Sequence, residues 1–218
     1  MKKMGMYLMR IILYQLTVVL MFYFCDYSNA QGVYRQNIIT DIVTPPSCEI
    51  IPPNNGNYQF SQLHAHYFKL NKVTALPELK QTWQVMCNTP INLFLKIIDN
   101  RHDSSRMDDE SYFGLGNVNG SGKIGDYRLT LSHANVDNEK AELFLSENLS
   151  GTRTSAITVK KNRTYGWLTG ESHIASGKLF SVDITVSPKL NSLKETHGPI
   201  VNGAELDGNA ELIFSFGI

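Results

Sequence analysis

His64 and His66 stand two positions apart, so on a strand they would share a face and could together hold a transition metal. No third ligand can be assigned, the pair reads as exposed loop histidines, and no metal is expected. The acidic stretch Asp99, Asp103, Asp108, Asp109 and Glu110 has carboxylates enough for calcium but not the ligand spacing of a calcium loop, and reads as a solvated segment. Gly116 to Lys123 approaches the pattern of a phosphate loop. The glycine that opens such a motif is replaced by Asn117, the Ser or Thr that follows its lysine by Ile124, and the segment leads into a strand instead of a helix. It reads as a turn. Serine, histidine and aspartate are all present, yet no nucleophile sits in a recognisable elbow and no carboxylate pair is flagged by spacing. Tyr165 and Trp167 could stack a sugar from the surface, whereas Trp83, four residues before Cys87 on a strand, shares that cysteine's face and belongs to the core. The chain therefore reads as a protein without catalytic machinery or cofactor.

The first residues set the compartment. Lys2, Lys3 and Arg10 form a basic segment, Ile11 to Phe24 is an apolar run of 14 residues, and Ser28-Asn29-Ala30 offers a small-residue cleavage site. The run is short against the roughly 20 residues needed to span a bilayer. Residues 1–30 are read as a signal peptide and Gln31 as the first mature residue. Cys25 leaves with the signal, because Phe22-Tyr23-Phe24 is too bulky for lipoprotein-type processing. The mature chain has 218 − 30 = 188 residues; losing Lys2, Lys3, Arg10 and Asp26 leaves 17 basic and 19 acidic side chains, a net charge of −2. Nothing in that balance favours nucleic acid. Cys48 and Cys87 remain as an even pair in an exported protein, which is most simply a disulfide. Closing a loop of about 40 residues stabilises a fold by up to roughly 4 kcal/mol on the chain-entropy model. Zinc is the alternative, but neither cysteine has a Cys or His at ligand spacing.

Beyond Cys48 the pattern is all-β. Pro52 to Asn57 is a turn cluster, Leu79 to Cys87 reads as a strand, and Leu93 to Ile98 as a second, buried one. Tyr127 to Ser132 alternates cleanly, Ala141 to Leu145 and Leu179 to Val186 more loosely. Gly114–Gly125 and Thr169–Gly177 are connections, and Ser61 to Pro77 is a short helix or irregular. Short strands, turn clusters and one disulfide point to a β-sandwich. Gly208 to Ile218 carries the most consequence: Ala210, Leu212, Phe214, Phe216 and Ile218 are apolar at every second position, with only Ile213 out of pattern. A strand of this kind at an open edge recruits other chains. At the other end of the mature chain, Gln31 to Thr44 has strong strand propensity. One face would carry Val33, Ile39 and Val43, the other Tyr34, Ile38 and Ile42.

Several motifs run in order along the chain: Thr44-Pro45-Pro46-Ser47-Cys48, Val85-Met86-Cys87, Ile98-Asp99-Asn100-Arg101, Phe113-Gly114-Leu115-Gly116, Lys123-Ile124-Gly125-Asp126-Tyr127, and Leu206-Asp207-Gly208-Asn209-Ala210-Glu211-Leu212. In that order the chain resembles a chaperone-usher pilus subunit, more narrowly the beta-fimbriae group of probable major subunits. The resemblance implies an immunoglobulin-like β-sandwich (residues 48–218) lacking its final strand, preceded by a donor-strand arm (31–47). Ala210, Leu212, Phe214 and Phe216 would line a groove, filled first by a periplasmic chaperone's strand and later, at the outer-membrane usher, by the arm of a neighbouring subunit. Val33, Ile39 and Val43 are taken as the inward face of the donor. Two positions depart from the group: Phe216 is followed by Gly217 and Ile218 where an aromatic usually stands next to last, and Asp41 replaces a common glycine. A carboxylate facing an apolar groove is costly unless paired or turned outward. The expected product is a structural subunit, exported to the periplasm and built into a cell-surface fimbrium. The alternative is a minor or tip adhesin that binds a host receptor, glycan or protein.

Overall fold

The computed structural model describes residues 45–60, 65–147, 153–170, 173–201 and 203–217. Residues 1–30, read from the sequence as a signal peptide, and Val33, Ile39 and Val43 lie outside these residues. The described strands are β1 (Cys48–Ile51), β2 (Thr74–Ala75), β3 (Leu79–Asp99), β4 (Phe113–Gly114), β5 (Asn117–Val118), β6 (Gly122–Lys123) and β7 (Gly125–Val136), then β8 (Glu139–Lys140), β9 (Glu142–Leu145), β10 (Ala156–Thr158), β11 (Thr164–Thr169), β12 (His173–Ile174), β13 (Ser176–Leu190) and β14 (Ala210–Gly217). Every pairing is antiparallel. The helix described is limited to three single 3-10 turns, Pro53–Gly56, Ala65–Tyr67 and His102–Ser104. The fold is a curled antiparallel sheet in the order β10-β7-β13-β3-β11-β12, with β1 and β14 also paired to β3 and a small β5–β6 hairpin apart.

The curl originates in β3. The two runs expected as separate strands, Leu79–Cys87 and Leu93–Ile98, are one strand of 21 residues. Its first half pairs with β13 (Leu79 to Met86) and β1 (Gln84 to Cys87), its second half with β14 (Asn92 to Asp99) and β11 (Phe94 to Lys96). Pro90 stands at the hand-over. Proline has no N–H to give a ladder, and here none is needed, because the β13 register jumps from Met86 to Ile91 and β1 stops at Cys87. Two sets of neighbours on one long strand wrap the sheet around a single core. Leu93, Leu95 and Ile97 point into it from β3, Leu129 and Leu131 from β7, Phe180, Val182 and Ile184 from β13, and Tyr165 and Trp167 from β11, all buried. The alternation that places them there is the strand period of two.

Cys48 and Cys87 are bonded, 39 residues apart in sequence and directly opposite each other in the β1–β3 register. Pro52 to Asn57 is a turn, with Asn54 and Asn55 in the left-handed region at φ 47° and 51°, where asparagine is among the tolerated residues. Ser61 to Pro77, where described, is one 3-10 turn and the two-residue β2.

On the outer face a polar row fixes the register of β3, β13 and β7. Thr82, Asp183 and Ser132 are successive partners across the three strands. The buried Asp183 carboxylate accepts from Thr82 Oγ1 at 2.5 Å and lies 3.1 Å from both Lys80 Nζ and His133 Nδ1. Burial alone would raise its pKa, but the hydrogen bonds from Thr82 and Lys80 and the nearby charges hold it below the ordinary carboxylate value. A depressed carboxylate contributes stability that is fully present above the unfolded-state pKa of about 3.9 and is lost as pH falls through the lower folded-state value. Asp183→Asn should therefore be less stable than the parent at pH 7, with the gap closing below about pH 4. Urea denaturation across a pH series reads this directly; a gap that stays constant down to pH 2 would mean that the carboxylate's charge contributes nothing.

Candidate functional site

The last described strand is paired on one side only. β14 runs against β3 from Ala210↔Asp99 to Gly217↔Asn92, and among the described residues no strand pairs with its other edge. Ala210, Leu212 and Phe214 turn inward and pack against the core, Glu211, Ile213 and Ser215 turn outward, and Phe216, of inward parity, is 45% exposed. Beside Ala210 and Leu212 lies a groove of about 260 Å³. Leu129 of β7, Ile184 and Val186 of β13, and Leu115 and Leu206 supply its aliphatic lining; Tyr58, Phe60 and Trp83 supply an aromatic wall. Of the four residues expected to line a groove, Ala210 and Leu212 do so, while Phe214 and Phe216 lie beyond it. None of the fourteen lining residues carries a charge.

Two tyrosines contribute hydroxyls to this groove, Tyr127 from a motif noted in the sequence and Tyr58 from a segment without a pattern. Tyr58 belongs to the irregular segment after the Pro52–Asn57 turn and is hooked to the sheet: its hydroxyl donates to the Ile184 carbonyl at 2.9 Å and accepts from Trp83 Nε1 at 3.2 Å. Burial, chiefly, pushes its pKa up to about 12, so the donor persists at any physiological pH. Gln81 Nε2 donates to the Asn57 carbonyl at 2.7 Å and holds the same segment. Tyr127 is 5% exposed and packs its ring 5.2 Å from that of Phe113. Among the described residues its hydroxyl has no hydrogen-bond partner. Burial, with the Asp99 charge nearby, raises its pKa, so it too is a neutral donor.

The start of β14 is held by four motifs that are far apart in the chain. Asp99, whose side chain is fully buried, accepts from the backbone N–H of Arg101 at 2.9 Å and of Gly114 at 3.0 Å, with Lys161 Nζ at 3.9 Å. Arg101 reaches Asp207 through Nε (2.9 Å) and a terminal nitrogen (2.7 Å). The Asp207 N–H donates to the Leu115 carbonyl at 3.0 Å, and Asn100 bonds Asn209 through backbone and side chain at 2.9 and 2.7 Å. Asp126 accepts from Ser105 Oγ and the Arg106 N–H and ties down the following loop. Glycine at 114 is required by contact, since a Cβ there would collide with the Arg101 carbonyl and the Ser104 hydroxyl; at Gly208 a Cβ would stand 3.0 Å from the Tyr127 ring.

Other candidate sites disperse. Trp167, read as a surface aromatic, is 1% exposed, edge-on to Phe180, with its Nε1 bonded to the Ser181 carbonyl, and Tyr165 is equally buried; alternation with the apolar neighbours of β11 turns both inward. Trp83 is in the core wall, as expected. Gly116 to Lys123 forms the β5–β6 hairpin and leads into β7. Of the acidic stretch, Asp99 is buried, Asp109 caps Ser111, and Glu110 pairs with Arg163 at 2.9 Å. His66 stacks on Tyr67, and His64 lies outside the described residues. The chain matches no protein-family model, and no curated protein matches it.

Asp99 and Arg101 should behave differently on truncation. Asp99→Ala leaves the Gly114 N–H buried and unpaired and should cost about 2–3 kcal/mol in urea denaturation, whereas Arg101→Ala removes a half-exposed ion pair and should cost at most about 1 kcal/mol. Equal losses would mean that the buried carboxylate does not organise this end of the sheet.

Proposed function

We propose that the protein is a structural subunit of a surface fibre of the chaperone-usher kind, not an enzyme, and that it polymerises by donor-strand exchange. The observation that carries the reading is the edge of β14, which has no described partner and borders a groove without a charged lining residue. In this reading the curled sheet is an immunoglobulin-like sandwich one strand short. An extended segment laid along β14 makes main-chain hydrogen bonds, and its alternate side chains enter the groove. Each large apolar side chain buried contributes roughly 1.5–3 kcal/mol before ordering costs. The occupant is the arm of residues 31–47 from a neighbouring copy, preceded during export by a strand of a periplasmic chaperone; the outer-membrane usher is the site of exchange. The tip-adhesin alternative loses its surface candidate for sugar stacking, since Trp167 is in the core.

The mature chain from Gln31 should form multimers that sediment well above a monomer. Deleting residues 31–47, or placing Leu212→Glu in the groove, should reduce multimer formation at least tenfold. Unchanged assembly of the arm-deleted chain would overturn the proposal.

A further inference from the structure

We infer that the arm enters the groove with Tyr34, Ile38 and Ile42 facing inward, and that Thr40 receives the hydrogen bond offered by the Tyr127 hydroxyl; the inference rests on the fibre-subunit reading. It is the opposite face from Val33, Ile39 and Val43. The two faces differ mainly in their remaining residues. Turning Val33, Ile39 and Val43 inward also turns in Arg35, Asn37 and Asp41, whereas Tyr34, Ile38 and Ile42 bring the neutral Gln36 and Thr40. The groove lining has no charged side chain to pair with Arg35 or Asp41, and burying an unpaired charge is far costlier than burying a neutral polar group that finds a partner.

Tyr127 supplies the partner. Its hydroxyl belongs to a residue more than nine-tenths buried, lies in the groove lining, and has no hydrogen bond among the described residues. The hydroxyl is not among the buried atoms left without a partner, so it meets solvent in the groove; a strand that displaces this solvent must replace the hydrogen bond, because a donor buried without one is costly. Every strand pairing among the described residues is antiparallel, so a strand continuing the pattern beside β14 brings the C-terminal part of the arm to the Ala210 end, where Gly208 lies beside the Tyr127 ring. Thr40 is the polar residue of the inward face nearest that end. Reach is ample: residues 31–44 extend to about 46 Å, against about 26 Å for the eight residues of β14.

The test uses the full mature chain, with multimer formation followed by sedimentation. Ile38→Asp and Ile42→Asp should slow assembly at least tenfold, and Ile39→Asp and Val43→Asp should leave it within twofold. Tyr127→Phe and Thr40→Val should each slow it roughly three- to tenfold, and together no more than either alone. The reverse pattern among the aspartate variants, or equal loss in all four, overturns the inferred face and leaves the fibre-subunit reading standing. If none of the four has an effect, the arm is not the occupant and both fall. Additive effects of Tyr127→Phe and Thr40→Val overturn the pairing of those two residues.

Discussion

A strand that hydrogen-bonds along one edge keeps half of its backbone groups for something else, and among the described residues the free edge of β14 borders a groove with no charged side chain in its lining. Both features have the same physical remedy, one more strand. Natural sheets usually blunt such an edge with charge, proline or a bulge. β14 has none on its groove side: Ala210, Leu212, Phe214 and Phe216 are all apolar, and its one charged residue, Glu211, turns outward. The rest of the described molecule holds β14 from its other edge. β3 carries β14 along its whole length after the change of partners around Pro90, and the disulfide fixes the other half of β3 against β1.

The start of β14 is where local cost is concentrated. Burying Asp99 is tolerable because two backbone N–H groups point at it and Lys161 lies close. The Arg101–Asp207 pair, half in solvent, adds geometry more than energy. Together with the Asn100–Asn209 bonds they decide where the strand begins and therefore which of its side chains faces the groove, a choice that a slip of one residue would invert.

The strands of this fold were readable to the extent that they alternate against a single apolar face. β14, β7 and the ends of β3 have that period, and Cys48 and Cys87 needed only compartment and parity. The fusion of β3 was not readable, because Pro90 is a breaker by local rules and becomes harmless only when both neighbouring ladders skip it. Trp167 was misplaced because no strand was read from the sequence over Thr164–Thr169; the structure has β11 there and buries the ring. The groove itself is only half legible. Ala210 and Leu212 follow from alternation, but Tyr58 comes from an irregular segment with no period, and the contacts that gather Asp99, Gly114, Asp126 and Asp207 cross up to 106 residues, a distance over which spacing carries no information. Each of those motifs is weak alone, and their convergence at one end of one strand gives them a common physical reason.

The most direct measurement is thermal unfolding of the chain that begins at Cys48, with and without a peptide of residues 31–47. A segment that binds the folded state alone raises the melting temperature by mass action, and at a hundredfold excess over its Kd the gain of about 2.7 kcal/mol corresponds to roughly 5–10 °C for a domain of this size. The account predicts a shift of that order. A truncated chain that is stable by itself and melts at the same temperature with the peptide would contradict it, because the sheet would then already be complete.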